Sequence, residues 1–90
     1  MPVTAKFTTV YPNPAFDIVS IDFYLDKTST VSIEVFSSTG LQVCSGSVRD
    51  VTPGFNYTNL DVAHYGQGIY IIKLLQDGAM VDTRMLTVIK

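Results

Sequence analysis

The chain has 90 residues, a length that fits one domain and leaves no room for a second hydrophobic core. Apolar residues make up 47% of the sequence, which argues against disorder. The formal net charge is −2 and the six basic residues are scattered, so nucleic-acid binding, which needs a concentrated basic surface, is disfavoured. The longest apolar runs fall far short of the roughly 20 residues that span a bilayer, and the first residues lack a signal-peptide pattern.

The residue types that carry chemistry are sparse. Cys44 is the single cysteine, which excludes an intrachain disulfide and a cysteine-based metal site and fits a small apolar filler in a strand. His64 is the single histidine, and no serine or cysteine with a carboxylate is marked as its partner. The carboxylates are spread singly, unlike those of a calcium loop. The sequence predicts no catalytic residue, no metal site and no cofactor, and argues against an enzyme.

The first half of the chain reads as strands separated by turns. We assign residues 1–6 to a linker or a non-native start, and predict a strand from Lys6 to Tyr11. That strand ends at Tyr11-Pro12-Asn13-Pro14, because each proline lacks a backbone donor and cannot continue a ladder. The next strand is predicted from Asp17 to Leu25. Its alternation places on one face Val19, Ile21, Phe23 and Leu25.

A hairpin is predicted in the middle of the chain. Its first arm places Val31, Ile33 and Val35 on one face. The sequence Ser37-Ser38-Thr39-Gly40 is typical of a type I turn closed by a glycine with positive φ. The returning arm includes Leu41, Val43 and Ser45. Residues 46–54 contain Arg49-Asp50 and Thr52-Pro53-Gly54 and are predicted to form a loop.

The last part of the chain is predicted to be a strand from Phe55 to Val62, with Leu60 and Val62 inward, followed by a bend and a long hairpin. Asp77-Gly78 fits a two-residue type I′ turn. Gln76 would then face Ala79, and Lys73 would face Asp82. This register predicts a core face of Tyr70, Ile72, Leu74, Val81, Thr83 and Met85, and a solvated face carrying Lys73, Asp82 and Arg84 with a cross-strand ion pair.

The elements together predict an all-β fold. Seven short strands, regular turn signals and no sustained helical periodicity indicate one seven-stranded antiparallel immunoglobulin-like β-sandwich. The cysteine pair and core tryptophan of antibody domains are missing from the sequence, so only the architecture is implied.

Two functions fit such a sandwich on its residues alone. Five tyrosines and five phenylalanines allow a carbohydrate-binding or adhesive module of a secreted hydrolase, with Tyr24 and Phe36 as candidate stacking residues on the polar sides of their strands. An inert spacer domain is the other. Asn56-Tyr57-Thr58 also matches the glycosylation triplet, a short pattern of low specificity.

The ordered motifs resemble the C-terminal sorting domain of type IX secretion substrates in Bacteroidota. The resemblance spans Phe7 to Lys90 and is specific in its order and spacing more than in any single motif. The motifs are Tyr11-Pro12-Asn13-Pro14-Ala15 followed by Asp17, Val31 to Phe36 with Gly40-Leu41-Gln42-Val43, Leu60-Asp61-Val62, Gly68 to Lys73, and the ending Arg84 to Lys90. Leu41 and Thr87 stand where basic residues are common in the family, which argues against recognition of one basic side chain.

The resemblance implies a non-enzymatic secretion-targeting domain attached to an N-terminal cargo. Such a domain folds in the periplasm, is recognised by the type IX machinery, and directs the cargo across the outer membrane to the cell surface or the medium. The implied partners are an outer-membrane shuttle barrel and a surface sortase, with no nucleic acid and no membrane span.

We expect the last strand to be the recognition element, because an exposed strand edge recruits a partner by β-augmentation. The candidate recognition residues are Asp82, Arg84, Met85, Leu86, Thr87, Val88, Ile89 and Lys90. The other family-motif residues are expected to be structural: Tyr11, Pro12, Asn13, Pro14, Gly40, Gly68 and Tyr70.

Overall fold

The computed structural model describes residues 5–90 and contains seven antiparallel strands in two sheets, with no helix in that range. The strands are β1 (Ala5–Tyr11), β2 (Ile18–Leu25), β3 (Ser29–Ser37), β4 (Gln42–Val51), β5 (Gly54–Asp61), β6 (Gly68–Gln76) and β7 (Ala79–Val88). The predicted all-β sandwich is therefore confirmed. Of the expected linker, residues 1–4 lie outside the described residues, while Ala5 and Lys6 belong to β1.

The sheets have the orders β1-β2-β5 and β4-β3-β6-β7. In a constant-type immunoglobulin domain the fourth strand joins the sheet of the first, second and fifth strands. Here β4 pairs with β3 instead, so the second sheet has four strands and ends at β4 on one side and at β7 on the other.

The core lies between the sheets and follows the alternation of the sequence. Val19, Ile21, Phe23 and Leu25 of β2 are all buried, as predicted. Ile72 and Leu74 of β6 face them with no exposed surface. Full burial of a side chain of this kind stabilises the fold by about 1.5–3 kcal/mol, so these residues contribute substantially to the stability of the sandwich.

Two turns have the predicted chemistry. The Gly40 amide donates to the Ser37 carbonyl at 2.9 Å, and Gly40 has a φ of 91°, which a residue with a side chain adopts only with strain. Asp77 and Gly78 both have positive φ, 51° and 87°, as a type I′ turn requires. Gln76 faces Ala79 across this turn.

The predicted loop at residues 46–54 is wrong, because β4 continues to Val51. Its residues pair with β3 along most of its length, with Ile33 opposite Gly46 and Val31 opposite Val48. An edge strand pairs on one side only and exposes most of its side chains, so it needs little apolar pattern. Arg49-Asp50 therefore lies in a strand although its composition resembles a loop.

The predicted core face of β6 is confirmed, since Tyr70, Ile72 and Leu74 are buried, but the predicted faces of β7 are wrong from Asp82 onward. Leu75 lies opposite Met80 as expected, but Leu74 lies opposite Asp82, so Val81 is an extra residue. This β-bulge exchanges the faces of β7 from Asp82 onward. Lys73 consequently lies opposite Thr83 rather than Asp82, and Asp82 and Arg84 share the side of Ile72 and Leu74 instead of the solvated face.

Candidate functional site

The eight candidate recognition residues divide into two groups according to the face of β7. Leu86 and Val88 point inward and have no exposed surface, so they are core residues. Met85 and Ile89 are exposed, at 59% and 42%. The bulge at Val81 decides this division, because without it Met85 would be the buried residue.

The outer edge of β7 is covered by the connection between β1 and β2, which we call the proline strap (residues 12–15). The Asn13 side-chain amide acts as a substitute strand: Nδ2 donates to the Met85 carbonyl and Oδ1 accepts from the Thr87 amide, both at 3.0 Å. A peptide group of a neighbouring strand would offer the same donor and acceptor. Asn13 therefore closes the middle of this edge.

Backbone pairing of the strap closes the end of the edge. The Ala15 amide donates to the Thr87 carbonyl, and the Ile89 amide donates to the Ala15 carbonyl, both at 2.8 Å. Ala15 forms a parallel bridge with Val88 and has no exposed surface. A larger side chain at position 15 would therefore displace the strap from the core.

Two charged side chains tie the start of β7 to β1. The Phe7 amide donates to Asp82 Oδ2 at 2.8 Å, and Arg84 Nη2 donates to the Phe7 carbonyl at 3.1 Å. Because Asp82 and Arg84 satisfy both backbone groups of Phe7, they join the edges of the two sheets. Neither side chain forms part of a solvated charge group with Lys73.

Lys90 is also bonded to backbone groups of distant segments. Lys90 Nζ donates to the carbonyls of Phe16, Val62 and Ala63, at 3.2, 3.1 and 2.9 Å. The Lys90 amide donates to Gln67 Oε1 at 3.2 Å. An ammonium group has three donors, so this one is fully used by backbone oxygens of two different connections.

The expectation of an open edge is therefore wrong for the second half of β7. The Met85 carbonyl, both backbone groups of Thr87 and the Ile89 amide are bonded to the strap. A partner that added a strand here would first have to displace Asn13 and Ala15. What β7 presents without any rearrangement is its outward side chains.

Those outward side chains belong to an apolar group on the outer face of the four-stranded sheet. Met85 lies opposite Ile71, and Ile71 lies opposite Phe36, so the three form one row across β7, β6 and β3. Ile69, which is 46% exposed, lies two residues from Ile71 on the same face. Lys73 Nζ lies 4.5 Å from the centroid of the Phe36 ring, a cation–π contact.

The end of the sandwich beside Lys90 carries a tyrosine corner. The Tyr70 hydroxyl donates to the Gly66 carbonyl at 2.6 Å, four residues upstream, as in many immunoglobulin-like domains. The Tyr65 ring lies 5.1 Å from that of Tyr70. Burial raises the pKa of Tyr65 to about 12, and the neighbouring Cys44 adds to the increase. The corner thus holds the bend that leads into Gly68 and β6.

The remaining candidates do not converge on a site. His64 is exposed in the bend between β5 and β6, and Cys44 is half-buried on β4. Tyr24 packs edge-on against Phe55 on the three-stranded sheet, whereas Phe36 lies on the other sheet, so the two predicted stacking residues share no platform. Asn56 of the glycosylation triplet donates to the Thr52 carbonyl at 2.9 Å.

The described residues contain neither a cluster of metal ligands nor a helix that could span a membrane. Between residues 5 and 90, no three side chains of histidine, cysteine, aspartate or glutamate come together as a metal site. Among those same residues no helix has the length and apolar character to cross a membrane.

Sequence reasoning missed the roles of Asn13, Phe36 and Ile71. Asn13 is recognisable in the sequence only as part of the motif that ends β1, and nothing local shows that its amide reaches a strand more than seventy residues later. A signal for the outer row did exist, because Met85 and Leu86 are adjacent apolar residues, and only one of two neighbours on a strand can point inward.

Comparison with known proteins adds a family and a fold. The model of the secretion system C-terminal sorting domain family matches residues 9–89. No curated protein matches the chain. Two crystal structures of β-glucosidase from Kluyveromyces marxianus, one selenomethionine-labelled and one with glucose, are similar in fold, with TM-scores of 0.62 and 0.61 and 11% identity.

The similarity to the β-glucosidase extends over 97% of this chain but only 14% of that enzyme, and at 11% identity it concerns the fold alone. The family match is of a different kind, because it covers the chain from β1 to the residue after β7 and includes the strap, the tyrosine corner and the final strand. The chain therefore belongs to the family of secretion system C-terminal sorting domains, the targeting signals of type IX secretion.

Proposed function

We propose that the type IX machinery recognises this domain through β7 and the residues that follow it, Asp82 to Lys90. The partners are an outer-membrane shuttle barrel and a surface sortase, and the domain folds in the periplasm before its N-terminal cargo reaches the cell surface or the medium. The observation that supports this proposal is the family match over residues 9–89, which includes most of that segment.

The role is non-enzymatic, since a targeting signal needs a rigid surface and no acid, base or metal. The structure supplies the rigidity. β7 is bonded to β6 on one edge and to the strap on the other, and its ends are held by Asp82 and Lys90. The family match does not favour the carbohydrate-binding alternative.

Deletion of Ile89 and Lys90 from a reporter fused to the N-terminus of the domain tests the proposal. We expect the shortened fusion to accumulate in the periplasm, while the full-length fusion is delivered. Loss of the bonds from Lys90 to three carbonyls also destabilises the fold, so delivery needs a matched control.

The control is Val19→Ala, which shortens a buried side chain in β2 and leaves β7 intact. The growth temperature is chosen separately for each variant, so that both have the same folded fraction when delivery is measured. If Val19→Ala is delivered and the deletion is retained, recognition of the C-terminal segment accounts for the difference. Normal delivery of the deletion variant would contradict the proposal.

A further inference from the structure

We infer that the machinery docks on the outer face of the four-stranded sheet, at an outer patch made of Phe36, Ile69, Ile71 and Met85, and that its contact surface there is an apolar surface of a protein. The inference rests on the proposed function, and it specifies which side of β7 the machinery contacts. It is reached by excluding the other two sides of the strand.

The inward side of β7 is unavailable, because Leu86 and Val88 have no exposed surface. Its outer edge is unavailable in the folded domain, because Asn13 and Ala15 occupy the backbone groups from the Met85 carbonyl to the Ile89 amide. In the folded domain the second half of β7, from Met85 onward, therefore offers a partner only its outward side chains.

Met85 is the large apolar residue that points outward from β7 after the bulge, and it is continuous with Ile71 and Phe36 across two further strands. Exposed apolar side chains on a solvated sheet face contribute little to folding, and a contiguous group of them marks an interaction surface. Methionine and aromatic residues are also enriched where proteins meet.

The charges beside the outer patch favour a protein over a lipid as its partner. Glu34 lies opposite Lys73 in the next row, and Lys73 contacts the Phe36 ring. Insertion into a hydrocarbon layer would remove water from both charges, which is costly. A protein interface can bury the apolar patch and leave the charged pair at its polar rim.

Substitutions at outward positions test the inference with little effect on the fold. The double variant Ile71→Thr with Met85→Thr removes the middle of the outer patch and keeps residues compatible with a strand. Phe55→Thr with Tyr57→Thr is the matched control, because these residues are 80% and 74% exposed on the other sheet. We expect the patch variant to lose about tenfold or more of its affinity for the machinery, and its reporter to stay in the periplasm.

A photo-crosslinking amino acid placed at position 85, and in a parallel fusion at position 57, identifies the partner in cells. The expected result is an adduct from position 85 with an outer-membrane protein of the machinery, and none from position 57. Delivery of the patch variant at the rate of the unmodified fusion would refute docking on the outer patch and leave the proposed function intact. An adduct from position 85 only with a second copy of the chain would also overturn it.

Failure of the unmodified fusion to leave the cell would refute both the proposed function and docking on the outer patch. Retention of both the patch variant and the control variant, each with its thermal unfolding unchanged, would overturn the assignment to one sheet. Each outcome is recognised by the set of fusions that leave the cell. Failure of docking on the outer patch is therefore distinguishable from failure of the proposed function.

Discussion

Asn13 and Thr87 are joined by a hydrogen bond of 3.0 Å between the Thr87 amide and Asn13 Oδ1, although 74 residues separate them in the sequence. The same side chain also donates to the Met85 carbonyl. One amide thus replaces a neighbouring strand at the edge of β7. The family's proline motif and its C-terminal strand are consequently parts of one structure.

Asn13→Ala should lower the free energy of unfolding by about 1–2 kcal/mol, because it removes two hydrogen bonds worth roughly 1 kcal/mol each. Urea denaturation of the purified domain measures the loss. Asn59→Ala, at an exposed position on β5, is the control and should change stability by less than about 0.5 kcal/mol. Equal losses in the two variants would show that the bonds of Asn13 contribute nothing.

Lys90→Met should lower the Tm by about 4–8 °C, the shift that corresponds to roughly 1 kcal/mol in a domain of this size. The substitution keeps the apolar stem and removes the ammonium group that donates to three carbonyls. Calorimetry gives the Tm directly. Lys27→Met, in the exposed turn between β2 and β3, should leave the Tm unchanged, and a comparable decrease there would argue against a specific role of Lys90.

Tyr70→Phe should destabilise the domain by about 1–2 kcal/mol, since the Gly66 carbonyl loses its donor and the hydroxyl site is partly buried. Tyr57→Phe makes the same chemical change at a 74% exposed ring and should have almost no effect. Chemical denaturation of both variants measures the difference. A neutral Tyr70→Phe variant would refute the stabilising role of the tyrosine corner.

Stability should fall as the pH rises from about 10 to about 12, in part through Tyr65. Its folded pKa is raised to about 12, above the value of about 10 of an unfolded tyrosine, so folding favours the neutral phenol. That contribution is complete below pH 10 and is lost as the pH approaches 12. Midpoints of urea denaturation at pH 8, 10 and 11 measure it.

Tyr65→Phe should make the decrease between pH 10 and pH 11 shallower, because the substituted side chain does not ionise. Identical slopes in the Tyr65→Phe variant and the unmodified domain would mean that Tyr65 does not contribute to the pH dependence.

Local patterns in the sequence were sufficient to predict most of the strands and two turns. β2 alternates strictly, and its inward residues are the core. Asp77-Gly78 fixed the hairpin turn, because few residues other than glycine, asparagine and aspartate tolerate positive φ in both central positions. These features are determined by residues close together in the sequence, and they could therefore be predicted from it.

The features that position the candidate site depend on distant residues. The bulge at Val81 turns Asp82 and Arg84 toward Phe7, which lies at the other end of the chain. The sequence does not reveal it, because apolar residues stand at the odd positions 81, 85 and 89 and at the even positions 80, 86 and 88. The covering of the β7 edge by the strap could not be read from either segment alone.

Delivery of one reporter fusion in two strains tests whether the domain is a type IX targeting signal. The intact domain, fused behind a periplasmic reporter, is expressed in a bacterium with a working type IX system and in the same strain lacking that machinery. We expect the reporter to reach the cell surface or the medium in the first strain and to remain in the periplasm in the second. Retention in both strains, or release from both, would contradict this expectation.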